Sequence, residues 1–160
     1  GDVYKRQIVF SLFKEMDYSG AMESLAGVFP YLAFLLSVFS ALRLAKFNND
    51  TRQTSSFVGL PVPANALFWA SLVTGAHDWL VSSNFHPVYL LLLVCLFSWL
   101  LVSEIPMFSL KFKNLSWKDN KTSFIFLLVC IPFLIFLGIC SFSAIIVWYI
   151  LLSLITRKSK

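Results

Sequence analysis

The chain has few charged residues and few cysteines, and both shortages limit what it can be. Only 13% of its 160 residues are charged, whereas 58% are hydrophobic and 17% are aromatic. A soluble core of this length could not bury so much apolar surface, so we expect lipid to cover much of it. The three cysteines lie inside apolar runs without C-x-x-C spacing. That placement favours small buried side chains over a metal site or a disulfide framework.

Acidic residues are also scarce, with 8 Asp and Glu against 13 Lys and Arg. Asp17, Asp50, Asp78 and Asp119 are isolated from one another in the sequence, and no Asp-Gly or Ala-Arg dipeptide occurs. Divalent cations in phosphate chemistry are usually held by clustered carboxylates. We therefore predict that these 160 residues hold no metal ion of their own.

The first seven residues do not fit the pattern that follows them. Gly1–Gln7 has no apolar period and joins abruptly onto the apolar run that begins at Ile8. Residues 2–7 have the sequence that the codons GAT GTG TAT AAG AGA CAG would encode, and these codons resemble a transposon end used to prepare sequencing libraries. We interpret residues 1–7 as adaptor readthrough and residues 8–160 as the protein domain. The alternative is a genuine basic N-terminus.

The apolar pattern predicts an all-α fold, a polytopic membrane helix bundle with about five full transmembrane helices and an N-terminal stub. The stub, Ile8–Phe13, is too short to cross and is predicted to be the outer end of a helix. The predicted spans are Met22–Phe47, Pro61–Val81, Pro87–Ser103, Ser123–Cys140 and Ala144–Ile155. The second span reaches ~31 Å at ~1.5 Å per residue, about one hydrocarbon core. The last two are expected to form a hairpin that turns at Gly138–Ser143.

Positive charge is distributed unevenly between the predicted loops. Ten of the 13 Lys and Arg fall on one face of the membrane, and Lys14 is the one cation outside residues 1–7 on the other face. The positive-inside rule places the basic face in the cytoplasm. We therefore predict a multi-pass protein of the cell inner membrane, with the C-terminus and the basic loops cytoplasmic.

A polar block at the cytoplasmic end of the first span contains Arg43 and Lys46, one helical turn apart, and then Asn48. Cations in this position compensate the helix dipole and attract anionic headgroups, so a purely structural role is one explanation. A wall of a phosphate site is the other. Asn48 adds an amide able to cap the helix or to bind a ligand.

The next span begins with residues suited to an anion site. Gly59 permits a sharp turn, and Pro61 and Pro63 suit a first helical turn, whose missing donors have no partner anyway. The free N–H groups and the positive dipole end of such a helix favour a phosphate or a carboxylate. Asn65 follows about one turn inside, where a polar group is expected to face protein or a wet cavity.

The segments Arg43-Leu-Ala-Lys-Phe-Asn48 and Phe57-Val-Gly-Leu-Pro-Val-Pro63 together resemble a signature of the phosphatidylserine synthase branch of the CDP-alcohol phosphatidyltransferase family. The resemblance implies a transferase of phospholipid biosynthesis. Such an enzyme moves phosphatidyl from CDP-diacylglycerol to L-serine, releases CMP and forms a homodimer. The residues that it marks as substrate-binding candidates are Arg43, Lys46, Asn48, Gly59, Pro61, Pro63 and Asn65.

The catalytic part of that family is a D-x-x-D-G motif with further Asp residues, and its carboxylates hold Mg2+ or Mn2+. None of that motif is present here. The resemblance therefore implies an N-terminally truncated fragment, inactive by itself, whose intact parent carries the metal ligands upstream of Ile8. Lys46 also stands where Arg is frequent in the family, which keeps the charge and loses bidentate geometry.

Other functions remain open. A transporter subunit or a multi-pass scaffold would use polar residues such as Asn65 and Asp78 to line a path, although we see no inverted internal symmetry. A sister enzyme using glycerol phosphate or inositol phosphate fits the Gly-Leu-Pro-x-Pro segment less well. The basic stretch Leu110–Lys118 interleaves cations with apolar residues. After a membrane helix, this pattern favours an anchor on membrane lipids over nucleic-acid binding.

Overall fold

The computed structural model describes residues 2–16, 18, 20–49, 57–82, 84–108, 110 and 116–158. The structure is all-α, and 81% of it is helical. The α-helices are α1 (Asp2–Glu15), α2 (Phe29–Leu32), α3 (Phe34–Asn49), α4 (Val62–Val81), α5 (Pro87–Val102), α6 (Lys121–Leu137) and α7 (Ser141–Lys158). Two 3-10 helices cover Gly20–Leu25 and Gly138–Cys140. Two short strands, β1 (Phe57–Val58) and β2 (Pro106–Met107), pair antiparallel.

Among the residues that the structure describes, two helical stretches are long and apolar enough to cross a membrane, namely Phe29–Asn49 and Lys121–Thr156. Helix α5 is apolar but shorter. The predicted all-α fold is thus confirmed, together with two candidate spans, while the number of five transmembrane helices stays a prediction.

The first predicted span is divided in the structure. The residues before Phe29 form the 3-10 helix and a turn, and a single residue with helical backbone angles, Ala33, separates α2 from α3. Pro30 lies in the first turn of α2, where its missing N–H costs no helical hydrogen bond. The predicted continuous helix from Met22 was therefore wrong at its beginning, because α2 starts only at Phe29.

Helix α1 begins at Asp2, so it contains the predicted stub together with residues 2–7. Val9, Leu12 and Phe13 are fully buried and pack α1 against α3 and α4. Lys5 is buried as well and donates to the Ser40 hydroxyl on α3. The adaptor interpretation of residues 1–7 stays a prediction.

Small residues allow α4 and α7 to approach closely. The Ser71 and Ser143 hydroxyls are hydrogen-bonded, and Ser143 also donates to the Phe68 carbonyl at 2.8 Å. One turn along α4, a Cβ added to Gly75 would collide with Cys140 Sγ and lie 3.0 Å from the Cys140 backbone nitrogen. Small side chains and interhelical hydroxyl bonds are the contacts that hold helices together where lipid surrounds them.

Helices α6 and α7 form the predicted hairpin. Gly138 has a φ of +54° and opens the 3-10 turn, after which α7 packs back along α6. A glycine suits this turn because side chains disfavour a positive φ. The outer face of α6 exposes large apolar side chains, of which Phe136 is 83% exposed.

Helix packing brings the start of α4 against the end of α5. Helix α3 lies along α5, and α1 lies along α4. The Phe68 ring stacks on Phe97 with centroids 4.0 Å apart, and Trp69 meets the same ring edge-on. Pairing of Val58 with Pro106 in the strands then fixes the chain just before α4. The candidate site is built at this junction.

Candidate functional site

The Arg43 side chain joins three segments of the chain. It leaves α3 and is almost completely buried, with 7% of its surface exposed. Its Nη1 donates to the Val58 carbonyl at 2.7 Å and to the Leu101 carbonyl at 3.0 Å. The carbonyls in the last turn of a helix have no partner within the helix, so Arg43 satisfies one of them at the end of α5. It also compensates the negative end of the α5 dipole.

Gly59 forms the turn that this arginine holds. Its φ is +77°, and its backbone N–H donates to the Ile105 carbonyl at 2.8 Å. A Cβ at this position would lie 2.7 Å from Arg43 Nη1 and 2.7 Å from the Ser103 carbonyl oxygen. Both the conformation and the space require glycine. The next residue, Leu60, donates its N–H to the Leu100 carbonyl at 2.9 Å.

Lys46 lies one turn further along α3 and nearer to solvent. Its Nζ lies 3.2 Å from the Val102 carbonyl and 3.2 Å from Glu104 Oε1. The Lys46 side chain is 39% exposed and that of Glu104 is 67% exposed. The two cations thus bind consecutive carbonyls at the end of α5.

Helix α4 starts directly after the Gly59 turn. Pro61 is the N-cap, with extended backbone, and Pro63 lies in the first turn. Within that turn, the Asn65 N–H already donates to the Pro61 carbonyl at 3.1 Å. Pro63 is exposed, whereas Pro61 is half-buried. The prolines fit the predicted role of opening the helix at the same junction as Arg43.

A cavity of about 250 Å3 opens beside the start of α4. It is apolar, and Pro61, Ala64, Phe126 and Tyr149 contribute to its walls. The Tyr149 hydroxyl donates to the Phe108 carbonyl at 2.9 Å. The cavity can accept an apolar group close to the basic turn.

The remaining candidates lie apart from the two cations. Asn48 is exposed near the end of α3. Asn65 is completely buried, and neither its Oδ1 nor its Nδ2 has a hydrogen-bond partner. The expectation that Asn65 faces protein is confirmed. The structure thus groups Arg43, Lys46, Gly59 and Pro61, while Asn48, Pro63 and Asn65 flank that group.

A second polar cluster occupies the other end of α4. His77 Nε2 lies 2.8 Å from Glu15 Oε2, and His77 Nδ1 lies 3.6 Å from Asp78 Oδ1. These side chains are substantially exposed. The His77–Glu15 pair ties α1 to α4.

Some partners could not be found from the sequence. The carbonyls of Leu101 and Val102 bind the cations, yet any residue could supply them. Tyr149 lies in an apolar run with no motif around it. Within the ranges that the structure describes, no three His, Cys, Asp or Glu side chains come together as metal ligands.

No protein-family model, no curated protein and no solved structure matches the chain. The family resemblance of the two motif segments therefore stays a prediction.

Proposed function

We propose that the chain is the carboxyl portion of a CDP-diacylglycerol–serine O-phosphatidyltransferase of the CDP-alcohol phosphatidyltransferase family. The intact parent would transfer phosphatidyl to the L-serine hydroxyl and release CMP. Its Mg2+ or Mn2+ would be held by carboxylates encoded upstream of Ile8, and it would act as a homodimer. The chain of 160 residues alone would be inactive, because it lacks those carboxylates.

One observation carries the proposal: the two halves of the sequence signature meet in space. Arg43 comes from the first segment and Val58 from the second, and Arg43 Nη1 lies 2.7 Å from the Val58 carbonyl. The meeting point lies at the end of α3 and the start of α4. A cationic turn next to a proline-led helix start is favourable for the phosphates of a nucleotide lipid.

The apolar surfaces support a location in lipid. We propose five full spans in the cell inner membrane, with the predicted spans at α2–α3, α4, α5, α6 and α7. The junction of Arg43 and Gly59 would then lie at the cytoplasmic interface, where CDP-diacylglycerol presents its headgroup. The exposed apolar face of α6 would contact membrane lipids directly.

Genomic DNA upstream of the codon for Ile8 tests the proposal most cheaply. We expect an in-frame sequence that encodes the D-x-x-D-G motif with its further aspartates on two predicted helices. An in-frame stop codon directly upstream, or a long upstream frame without paired carboxylates, would refute the enzyme proposal.

A transporter subunit or multi-pass scaffold is the second candidate, and one observation favours it. The buried, unpartnered amide of Asn65 lies within an apolar helix, as in helices that line a polar path. Upstream sequence encoding an inverted repeat of α3–α5 would favour transport over transfer.

A further inference from the structure

The two cations of the signature occupy different environments. Arg43 is nearly buried, and its Nη1 is shared between carbonyls of two segments. Lys46 reaches the surface, where its partners are the Val102 carbonyl and the exposed Glu104 carboxylate. Two cations in one sequence signature suggest that both side chains bind phosphate. The contacts of Arg43 and Lys46 differ too much, however, for the two residues to share one role.

Arg43 acts on the backbone around it. A planar guanidinium can bind two carbonyls in fixed directions, which an ammonium group cannot match. Two backbone hydrogen bonds neighbour the Arg43 contacts along the chain. The Gly59 N–H donates to the Ile105 carbonyl, and the Leu60 N–H donates to the Leu100 carbonyl. Together they hold the turn from which α4 departs. Removal of the guanidinium would take a donor from the buried bond to Leu101 and from the partly buried bond to Val58, which is costly.

Lys46 is instead free to exchange partners. An ion pair between half-exposed side chains contributes little to stability. The diphosphate of CDP-diacylglycerol carries two negative charges, one on each phosphate, against one on the Glu104 carboxylate, and it offers more acceptor oxygens. Glu104 thus stands where an anionic ligand would bind Lys46.

We propose that Arg43 is a positioning residue, which fixes the start of α4, and that Lys46 is the phosphate-binding residue, with Glu104 as its internal competitor. The identity of the phosphate compound, CDP-diacylglycerol, rests on the proposed function. The feature that all candidate ligands share is a phosphate anion at the membrane interface.

Spin-label distances test the role of Arg43 without reference to function. Labels at Leu67 on α4 and Leu96 on α5, both exposed, would be placed in a chain whose cysteines are replaced by alanine, in nanodiscs. We expect one narrow distance distribution, which Arg43→Ala and Gly59→Ala both broaden, whereas Lys46→Ala and Lys118→Ala leave it unchanged. Arg43→Lys should restore it only in part. An unchanged distribution in Arg43→Ala would overturn the positioning role.

Binding measurements test the role of Lys46. The full chain in phosphatidylcholine nanodiscs would be titrated with CDP-diacylglycerol, phosphatidic acid or soluble CDP, at several salt concentrations. We expect Lys46→Ala to weaken CDP-diacylglycerol binding about tenfold, the effect of one lost charge-assisted hydrogen bond, and to lower its salt dependence. Glu104→Gln should strengthen binding, and Lys118→Ala, an exposed cation away from the turn, should change it little.

Each outcome of the titrations decides a separate point. Equal effects of Lys46→Ala and Lys118→Ala, or no gain from Glu104→Gln, would overturn the ligand role of Lys46. Binding of phosphatidic acid or CDP as tightly as CDP-diacylglycerol would keep the phosphate role and refute the proposed donor. No binding of any probe would refute both the donor and the role of Lys46, and the distance measurement would still decide Arg43.

Discussion

At the scale of single residues, Asn65 is the most costly polar group in the part of the chain that the structure describes. Its side chain is completely buried, and both amide atoms lack a partner. An unsatisfied buried polar group costs about 1–3 kcal/mol. Proteins retain such groups where an internal water molecule or a ligand satisfies them.

The substitution Asn65→Leu tests whether the Asn65 amide is unpaired or is bound by a water molecule or a ligand. If the amide is unpaired in the folded chain, the substitution should raise the free energy of unfolding by about 1 kcal/mol or more, measured by denaturation in detergent. The exposed Asn48→Leu is the matched control and should change stability by less than about 0.5 kcal/mol. Destabilisation by Asn65→Leu would instead indicate that water or a ligand binds the amide.

Gly59 is required by its conformation and by its neighbours. Gly59→Ala places a Cβ 2.7 Å from both Arg43 Nη1 and the Ser103 carbonyl, at a φ of +77°. We expect a loss of about 2 kcal/mol or more in thermal unfolding experiments. Gly27→Ala is the control, because nothing lies within 4 Å of the added Cβ. Equal stability of the two variants would contradict the packed turn.

At the scale of helices, the positions of the prolines decided how well the helix boundaries could be predicted from the sequence. The beginnings of α4 and α5 were predicted to within one residue, because Pro61 and Pro87 can open a helix and cannot continue one. The region before α3 was predicted less well. Its apolar composition suggested one helix, whereas the structure has a 3-10 helix, a turn, the short helix α2 and an interruption at Ala33.

The contact between α4 and α7 depends on small side chains. Gly75→Val should destabilise the bundle by about 1–3 kcal/mol, because the added atoms collide with Cys140 on the neighbouring turn. Thr74→Val, on the exposed neighbouring position, adds no bulk at this contact. Equal melting temperatures for both variants, measured by circular dichroism in detergent, would show that α4 does not meet the 3-10 turn Gly138–Cys140 at Gly75.

The candidate site was predictable only for its motif residues. Arg43, Lys46 and Gly59 were expected near one another, and the structure brings them together at the end of α5. The acceptor of Arg43 at Leu101 is 58 positions away and is a backbone carbonyl. No side-chain pattern encodes such an acceptor, so the structural use of this arginine could not be read from the sequence.

At the scale of the whole molecule, apolar surface dominates the described exterior. The exposed side chains of α6 are large and aliphatic or aromatic, including Leu128, Ile131, Ile135 and Phe136. Cys95 is exposed as well and Cys140 is half-buried, so the prediction of three buried cysteines was wrong for Cys95 and holds fully only for Cys130. Lipid around the bundle would cover such a surface, and the surface alone leaves the orientation open.

The orientation follows from a labelling experiment. In a cysteine-free background, Lys118→Cys and Asn84→Cys place single thiols at exposed loop positions on opposite predicted faces. A membrane-impermeant maleimide should label Lys118→Cys in inverted vesicles and Asn84→Cys in spheroplasts. Labelling of both from the same side would contradict the helix count between them, and reversed labelling would contradict the cytoplasmic assignment.

The most direct measurement is the release of CMP by the protein encoded by the complete reading frame. The purified protein in mixed micelles would receive CDP-diacylglycerol, Mg2+ or Mn2+, and one of the acceptors L-serine, glycerol phosphate or inositol phosphate. We expect CMP release that depends on L-serine and on the metal ion, and that Gly59→Ala strongly reduces. No CMP release with L-serine, or release only with another acceptor, would contradict the account.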